Sequence, residues 1–317
     1  MTSTSKFLIG AENMKMVNFS GHPAVICIQS RRKGVWFHPQ KVIKKCIFGN
    51  VHAGIELETA ADGQTIQKKV AIKIAKKPTT DKSPENPVTE AAIHKFISAK
   101  AKCPHINKLI EVIEEGNFLY MVSEFCDEEL FDVLKNEGPY QEPQARRIFR
   151  QIVMAVEAMH AAGVAHRDLS LENVMLSACG NVRVIDFGMA CLIKGDGKVF
   201  DTKGKTYYMT PAMFYQKNGY DAKEADIWAL GPILCILIIG FPPWEEAKTS
   251  DERFVQAVNG NIKKILIGWG HDSFSEELYD LLQKLICWNG TANGMKLGTA
   301  GHTLCASEIL KHPWLLA

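Results

Sequence analysis

His166-Arg167-Asp168-Leu169-Ser170-Leu171-Glu172-Asn173, with Asp186-Phe187-Gly188 set so that Asp186 falls eighteen residues beyond Asp168, is the stretch on which the reading of this chain turns. Before it, Ala145 to Ala161 places Ile148, Ile152, Ala155, Val156 and Met159 on one face of a helix, and between the two motifs Val182 to Ile185 reads as a short strand. One acid therefore follows a helix and the other a strand. Further out, Val70-Ala71-Ile72-Lys73 ends a β-branched run, and Glu90 stands seventeen residues beyond Lys73 on a helix expected over Thr89 to Ala101, where Ala92, Ile93, Phe96 and Ile97 recur at helical spacing. Strand-like patterns dominate from about Lys41 to Val122 and helical ones from Leu130 onward. This predicts an α+β chain of two lobes, with the cleft between them as the default place for a ligand.

The whole composition limits the function. With 317 residues, 46% hydrophobic and 23% charged, the chain can bury a full core, and disorder is excluded as its main state. Lys+Arg 37 against Asp+Glu 35, without a basic block, argues against nucleic acid as a partner, so any phosphate must be bound locally. Nine scattered cysteines with no Cys-x-x-Cys pair suit a reducing, intracellular, cytoplasmic setting. Phe7-Leu8-Ile9 is too brief for a signal-peptide core. Ile227 to Trp244 is eighteen uncharged residues, but Gly231-Pro232 interrupts it and Pro242-Pro243 ends it, so it reads as a buried core helix rather than a membrane span.

Taken together, the three motifs resemble the eukaryotic protein kinase family from about residue 41 to His312-Pro313-Trp314. The resemblance implies a bilobal fold: an N-terminal extension over 1–40, then a kinase domain over 41–317 with an N-lobe at 41–122, a hinge at 123–127 and a C-lobe at 128–317. It implies ATP and Mg²⁺ as cofactors, protein substrates and a monomer. Phosphoryl transfer needs positioning and charge neutralisation rather than covalent help. Accordingly, Lys73 would hold the α- and β-phosphates, Glu90 would fix Lys73, Asp186 and Asn173 would hold Mg²⁺, and Asp168 would orient the substrate hydroxyl. Ala71, Ser123 and the backbone of Glu124 and Cys126 would meet the adenine, with Ser123 as a small gate residue. Glu129 would reach the ribose, although a short linker lets Glu128 and Glu129 exchange places.

Several positions depart from the family pattern. The glycine-rich loop keeps Gly49 and Gly54 but has Val51 at its second position, which should reshape the phosphate cradle. Lys41 to Lys45, KVIKK, is one change from the sequence that names the FIKK kinases. Ser170 stands where the family's catalytic loop has lysine, and Lys205 where its activation segment has threonine, which suggests that the cation approaches Asp168 and the γ-phosphate from the opposite side. Ala212 and Thr303 replace both halves of a glutamate–arginine pair, a joint loss that a folded protein tolerates better than a single one. Thr202 lies where a phosphate would pair with Arg167, and Asp201 offers a fixed charge instead. The assembled set favours an active Ser/Thr kinase, with a pseudokinase scaffold as the alternative. Nothing resembles the tyrosine-kinase loop. Glu172 would favour a basic peptide residue, while Ile236 replaces the second acid of basophilic kinases. No EF-hand follows Trp314, which suggests a compact kinase.

Overall fold

The computed structural model describes residues 14–17, 25–62, 64–79, 85–202, 204–298 and 303–317. Contacts divide the chain into a first unit ending at Ser98 and resuming over Asn107–Cys126, and a second made of Ala99–Ile106 and Asp127–Ala317.

The first unit is a seven-stranded antiparallel sheet of β1 (Met14–Val17), β2 (Val25–Gln29), β3 (Val35–Cys46), β4 (Gly49–Thr59), β5 (Thr65–Lys76), β6 (Leu109–Glu115) and β7 (Phe118–Glu124), in the order β1-β2-β3-β4-β5-β7-β6, with α1 (Pro87–Lys100) beside it. Alternation makes β5 a strand: Val70, Ile72 and Ile74 point one way into a core shared with Ile28, Val35, Phe37, Ile113, Tyr120 and Val122. Each such side chain contributes roughly 1.5–3 kcal/mol on burial. Three of these core residues, Ile28, Val35 and Phe37, precede position 41 and belong to the extension expected over 1–40, which supplies strands to the sheet. The boundary falls inside β3, and Ile28 and Phe37 are fully buried because the sheet needs them to close its apolar face.

The second unit is mainly helical. It contains β8 (Glu128–Glu129), α2 (Leu130–Glu137), α3 (Glu142–Ala161), β9 (Val164–Ala165), a 3-10 turn Leu171–Asn173, β10 (Val174–Leu176), β11 (Val182–Val184), β12 (Cys191–Leu192) and β13 (Lys198–Val199). Then come α4 (Ala212–Tyr215), β14 (Tyr220–Asp221), α5 (Ala222–Ile239), α6 (Glu252–Gln256), a π turn, α7 (Ile262–Gly268), α8 (Glu276–Leu285), β15 (Gly290–Ala292), β16 (Met295–Leu297), α9 (Ala306–Ile309) and α10 (Pro313–Leu316).

The apolar run behaves as expected: α5 packs against α3 and α8 and is buried along almost its whole length. Asp221 caps it by accepting from the Lys223 and Glu224 amides at 2.7 and 3.0 Å, and Gly240 ends it in the left-handed region. Among the described residues no helix is long and apolar enough to cross a membrane.

Near the C-terminal end, β15 and β16 form a hairpin on the turn Asn293-Gly294, both at positive φ, which matches the twist of paired strands. Trp288 lies against both ends of this hairpin. A Cβ on Gly290 would meet its ring at 2.2 Å, and one on Gly298, at φ 103°, would meet its carbonyl oxygen at 1.9 Å.

Candidate active site

In the first unit β5 carries Lys73 between Val51 of β4 and Met121 of β7. Glu90 comes from the first turn of α1, where its amide donates to the Asn86 carbonyl. The Lys73 ammonium donates to both Glu90 oxygens, at 2.6 and 2.7 Å, and the two side chains are only 17% and 8% exposed. Burial makes an unpaired charge expensive, and two short charge-assisted bonds offset that cost. Ala71 pairs with Ala53 and Ser123 across the sheet, giving a row of small side chains. The Glu124 amide donates to the Lys108 carbonyl, and the Cys126 thiol lies 3.9 Å from Asn107 Oδ1.

The glycines of β4 have reasons within the sheet itself. A Cβ at Gly49 would meet the Ile74 carbonyl oxygen at 1.9 Å, and one at Gly54 would meet Ile72 Cδ1 at 2.5 Å. Val51 stands between these two positions, opposite Lys73 in the regular ladder to β5 and opposite Lys44 beside a register shift in the pairing with β3, where a β-branched residue suits the backbone.

In the second unit the loop 166–173 is held by Asp226, an almost fully buried carboxylate on α5. Its Oδ2 accepts from the His166 amide at 2.8 Å and from His160 Nε2 at 2.9 Å, and its Oδ1 accepts from the Arg167 amide at 2.7 Å. Arg167 is thereby fixed at φ 67°, unusual for a residue with a side chain. His166 Nε2 bonds the Ile185 carbonyl at 3.0 Å, and its ring lies 5.4 Å from that of buried Phe187, linking the two motifs. Sequence reasoning missed Asp226 and His160. The signal was present, since a lone acid opening an eighteen-residue apolar run must find donors when it is buried.

Asn173 closes the loop on itself, its Nδ2 donating to both the backbone oxygen and Oδ2 of Asp168 at 2.8 Å each. Burial pushes the Asp168 carboxyl above its usual range, against the lowering pull of His166, Lys205 and the Asn173 bond, while Asp186 raises it further. Asp186 sits at φ 63° and accepts from the Gly188 amide at 3.2 Å.

The departures find their places too. Lys205 reaches Ser170 Oγ at 2.8 Å and Glu172 Oε1 at 3.4 Å, so the two exchanged positions are in contact. Arg167 is engaged by the Asp201 carboxylate and by the Tyr220 hydroxyl at 3.2 Å, whereas the Thr202 hydroxyl lies 3.5 Å from the Met213 carbonyl. Ala212 is buried in an apolar cluster with Tyr220 and Ala225, and Thr303 is half-buried. Ile236 is buried within α5. Glu129 and Glu128 form β8 opposite Met175 and Leu176; Glu129 is half-buried and Glu128 exposed.

A largely enclosed lysine–carboxylate pair on an antiparallel sheet, together with an asparagine-locked aspartate and an Asp-Phe-Gly turn in a helical unit, defines a phosphotransferase of the protein kinase type. Residues 48–315 match the model of the protein kinase domain, and the chain belongs to that family. The strands before residue 48, which contain the Lys41–Lys45 run, lie outside the match. Among curated relatives, CBL-interacting protein kinase 31 of Oryza sativa subsp. japonica is 37% identical over 56% of this chain and 40% of its own length. CBL-interacting serine/threonine-protein kinase 26 of Arabidopsis thaliana is 34% identical over 65% and 46%. The probable serine/threonine-protein kinase KIN1 homolog of Enterocytozoon bieneusi (strain H348) is 29% identical over 80% and 40%. The chain thus spans less than half the length of these relatives.

Proposed function

We propose that this protein is a Ser/Thr protein kinase, working as a monomer inside the cell, that transfers the γ-phosphoryl group of MgATP to hydroxyls of protein substrates. The observation that carries this reading is the Lys73–Glu90 pair, formed at 2.6 and 2.7 Å in a family whose chemistry needs a fixed ammonium at the phosphates. Glu90 would hold Lys73 for the α- and β-phosphates, Ala71, Ser123 and the backbone of Glu124 and Cys126 would meet the base, and Gly49, Val51 and Gly54 would line the phosphate cradle. Glu129 supplies a carboxylate for the ribose.

The donor set suits Mg²⁺. The Nδ2 of Asn173 is taken by Asp168, so the oxygen of this amide is the atom left to face a cation, and Asp186 adds a carboxylate; both are hard oxygen donors. Bound there, Mg²⁺ would neutralise charge on the triphosphate. Asp168, raised in pKa by burial, accepts the hydroxyl proton and orients the attacking oxygen.

A single-turnover assay with radiolabelled ATP, Mg²⁺ and a degenerate Ser/Thr peptide library tests the proposal. Label should move to serine and threonine in the wild-type protein and stay on ATP in Asp186→Ala. Equal, background-level transfer in both would leave a scaffold as the better description.

A further inference from the structure

Lys205 leaves the activation segment and ends on the catalytic loop. Its ammonium donates to Ser170 Oγ at 2.8 Å and faces Glu172 Oε1 at 3.4 Å. An exposed lysine on a loop is ordinarily solvated, because holding its long side chain costs rotamer entropy that a surface ion pair hardly offsets. Here two acceptors fix it. Ser170 is fully buried, and the second oxygen of Glu172 is buried with no hydrogen-bond partner among the described residues, so Lys205 brings a counter-charge within 4 Å of this carboxylate.

The same two stretches meet at other points. The Leu171 amide donates to the Tyr208 hydroxyl at 3.2 Å. Gly204, at φ 104°, runs so close to the loop that a Cβ there would lie 3.5 Å from Asp168 Oδ1. From Ser170 the connection continues inward: its carbonyl accepts from the Asn173 amide at 3.0 Å, and the Asn173 side chain holds Asp168.

We propose that Lys205 is a positioning residue for phosphotransfer: the activation segment lends its charge to the catalytic loop and, through Ser170 and Asn173, keeps Asp168 in place. The loop is then properly formed only while the segment lies against it, which couples the order of the segment to the geometry of the carboxylate. Its effect on rate rests on the kinase reading above; the tie between the segments does not.

The test uses the full chain with three changes. Lys205→Met keeps the stem and removes the charge, Lys205→Arg keeps the charge, and Ser170→Lys with Lys205→Thr moves the ammonium to the other side of the same contact. Amide hydrogen exchange at Leu171 and Asn173, without nucleotide, is measured beside single-turnover transfer to the degenerate peptide library. In Lys205→Met both amides should exchange faster, and the rate should fall about 10- to 100-fold, the usual effect of losing one hydrogen bond to a charged group, with KM for ATP unchanged. Lys205→Arg and the relocated pair should recover protection and most of the rate. Unaltered exchange and rate in Lys205→Met, or a loss that neither rescue restores, overturns the proposal. If the wild-type protein transfers nothing while exchange still responds to Lys205→Met, the kinase reading fails and the tie stands.

Discussion

The sheet unit and the helical unit hold their functional side chains by different means. Lys73 lies inside a regular strand, where the register to β4 and β7 sets its neighbours and a helix supplies Glu90. Asp168, Asn173 and Asp186 lie on irregular backbone that includes two residues at positive φ, and one carboxylate from a distant helix holds the start of that loop. A ladder spreads its stabilisation over many bonds, whereas a latch concentrates it in few. Sensitivity to substitution should therefore be diffuse in the first unit and sharply focused in the second.

The strongest way to break this contrast is Asp226→Ala. It strips the His166 and Arg167 amides and His160 of their acceptor, and about 3–5 kcal/mol of stability should go with it, read as a large drop in denaturation midpoint. A loss near that of an ordinary surface change would mean that the loop needs no latch. Next comes Gly298→Ala, which drives a methyl into the Trp288 carbonyl at a backbone angle that side chains avoid. About 2–4 kcal/mol is expected, visible in thermal unfolding and in the fluorescence of Trp288.

Acid sharpens the comparison further. Burial works to raise the Glu142 carboxyl, but hydrogen bonds from the Ser275 hydroxyl and amide and from Trp314, with the charge of Arg146, outweigh it and hold it below the usual glutamate value. A lowered carboxylate stabilises the fold above its unfolded pKa and loses that contribution as pH falls through the folded value. The thermal midpoint of wild type should therefore fall more steeply than that of Glu142→Gln below pH about 4.5. The smallest effect belongs to the ladder. Val51→Gly, which restores the family's second glycine, should cost about 0.5–1 kcal/mol in stability, and equilibrium denaturation would resolve it.

What the sequence revealed follows the same division. Lys73 and Glu90 were legible because strand alternation and helical period are local patterns, and the apolar α5 was recognised as core for the same reason. The chemistry-bearing loop was legible as a motif, but its supports were not: Asp226 lies about sixty residues from the amides it caps, and no period links them. The core role of residues before position 41 was not legible because β1 to β3 are short or interrupted runs, and only the pairing of Ile28, Val35 and Phe37 within the sheet makes them core. Lys205 was noticed as an exchanged residue, whereas its contact with Glu172 needed coordinates.

The pairing of Arg167 with Asp201 has a consequence for control. A charge written into the gene can be neither installed by an upstream enzyme nor erased by a phosphatase. At this one contact the partner of Arg167 is therefore as lasting as the chain itself.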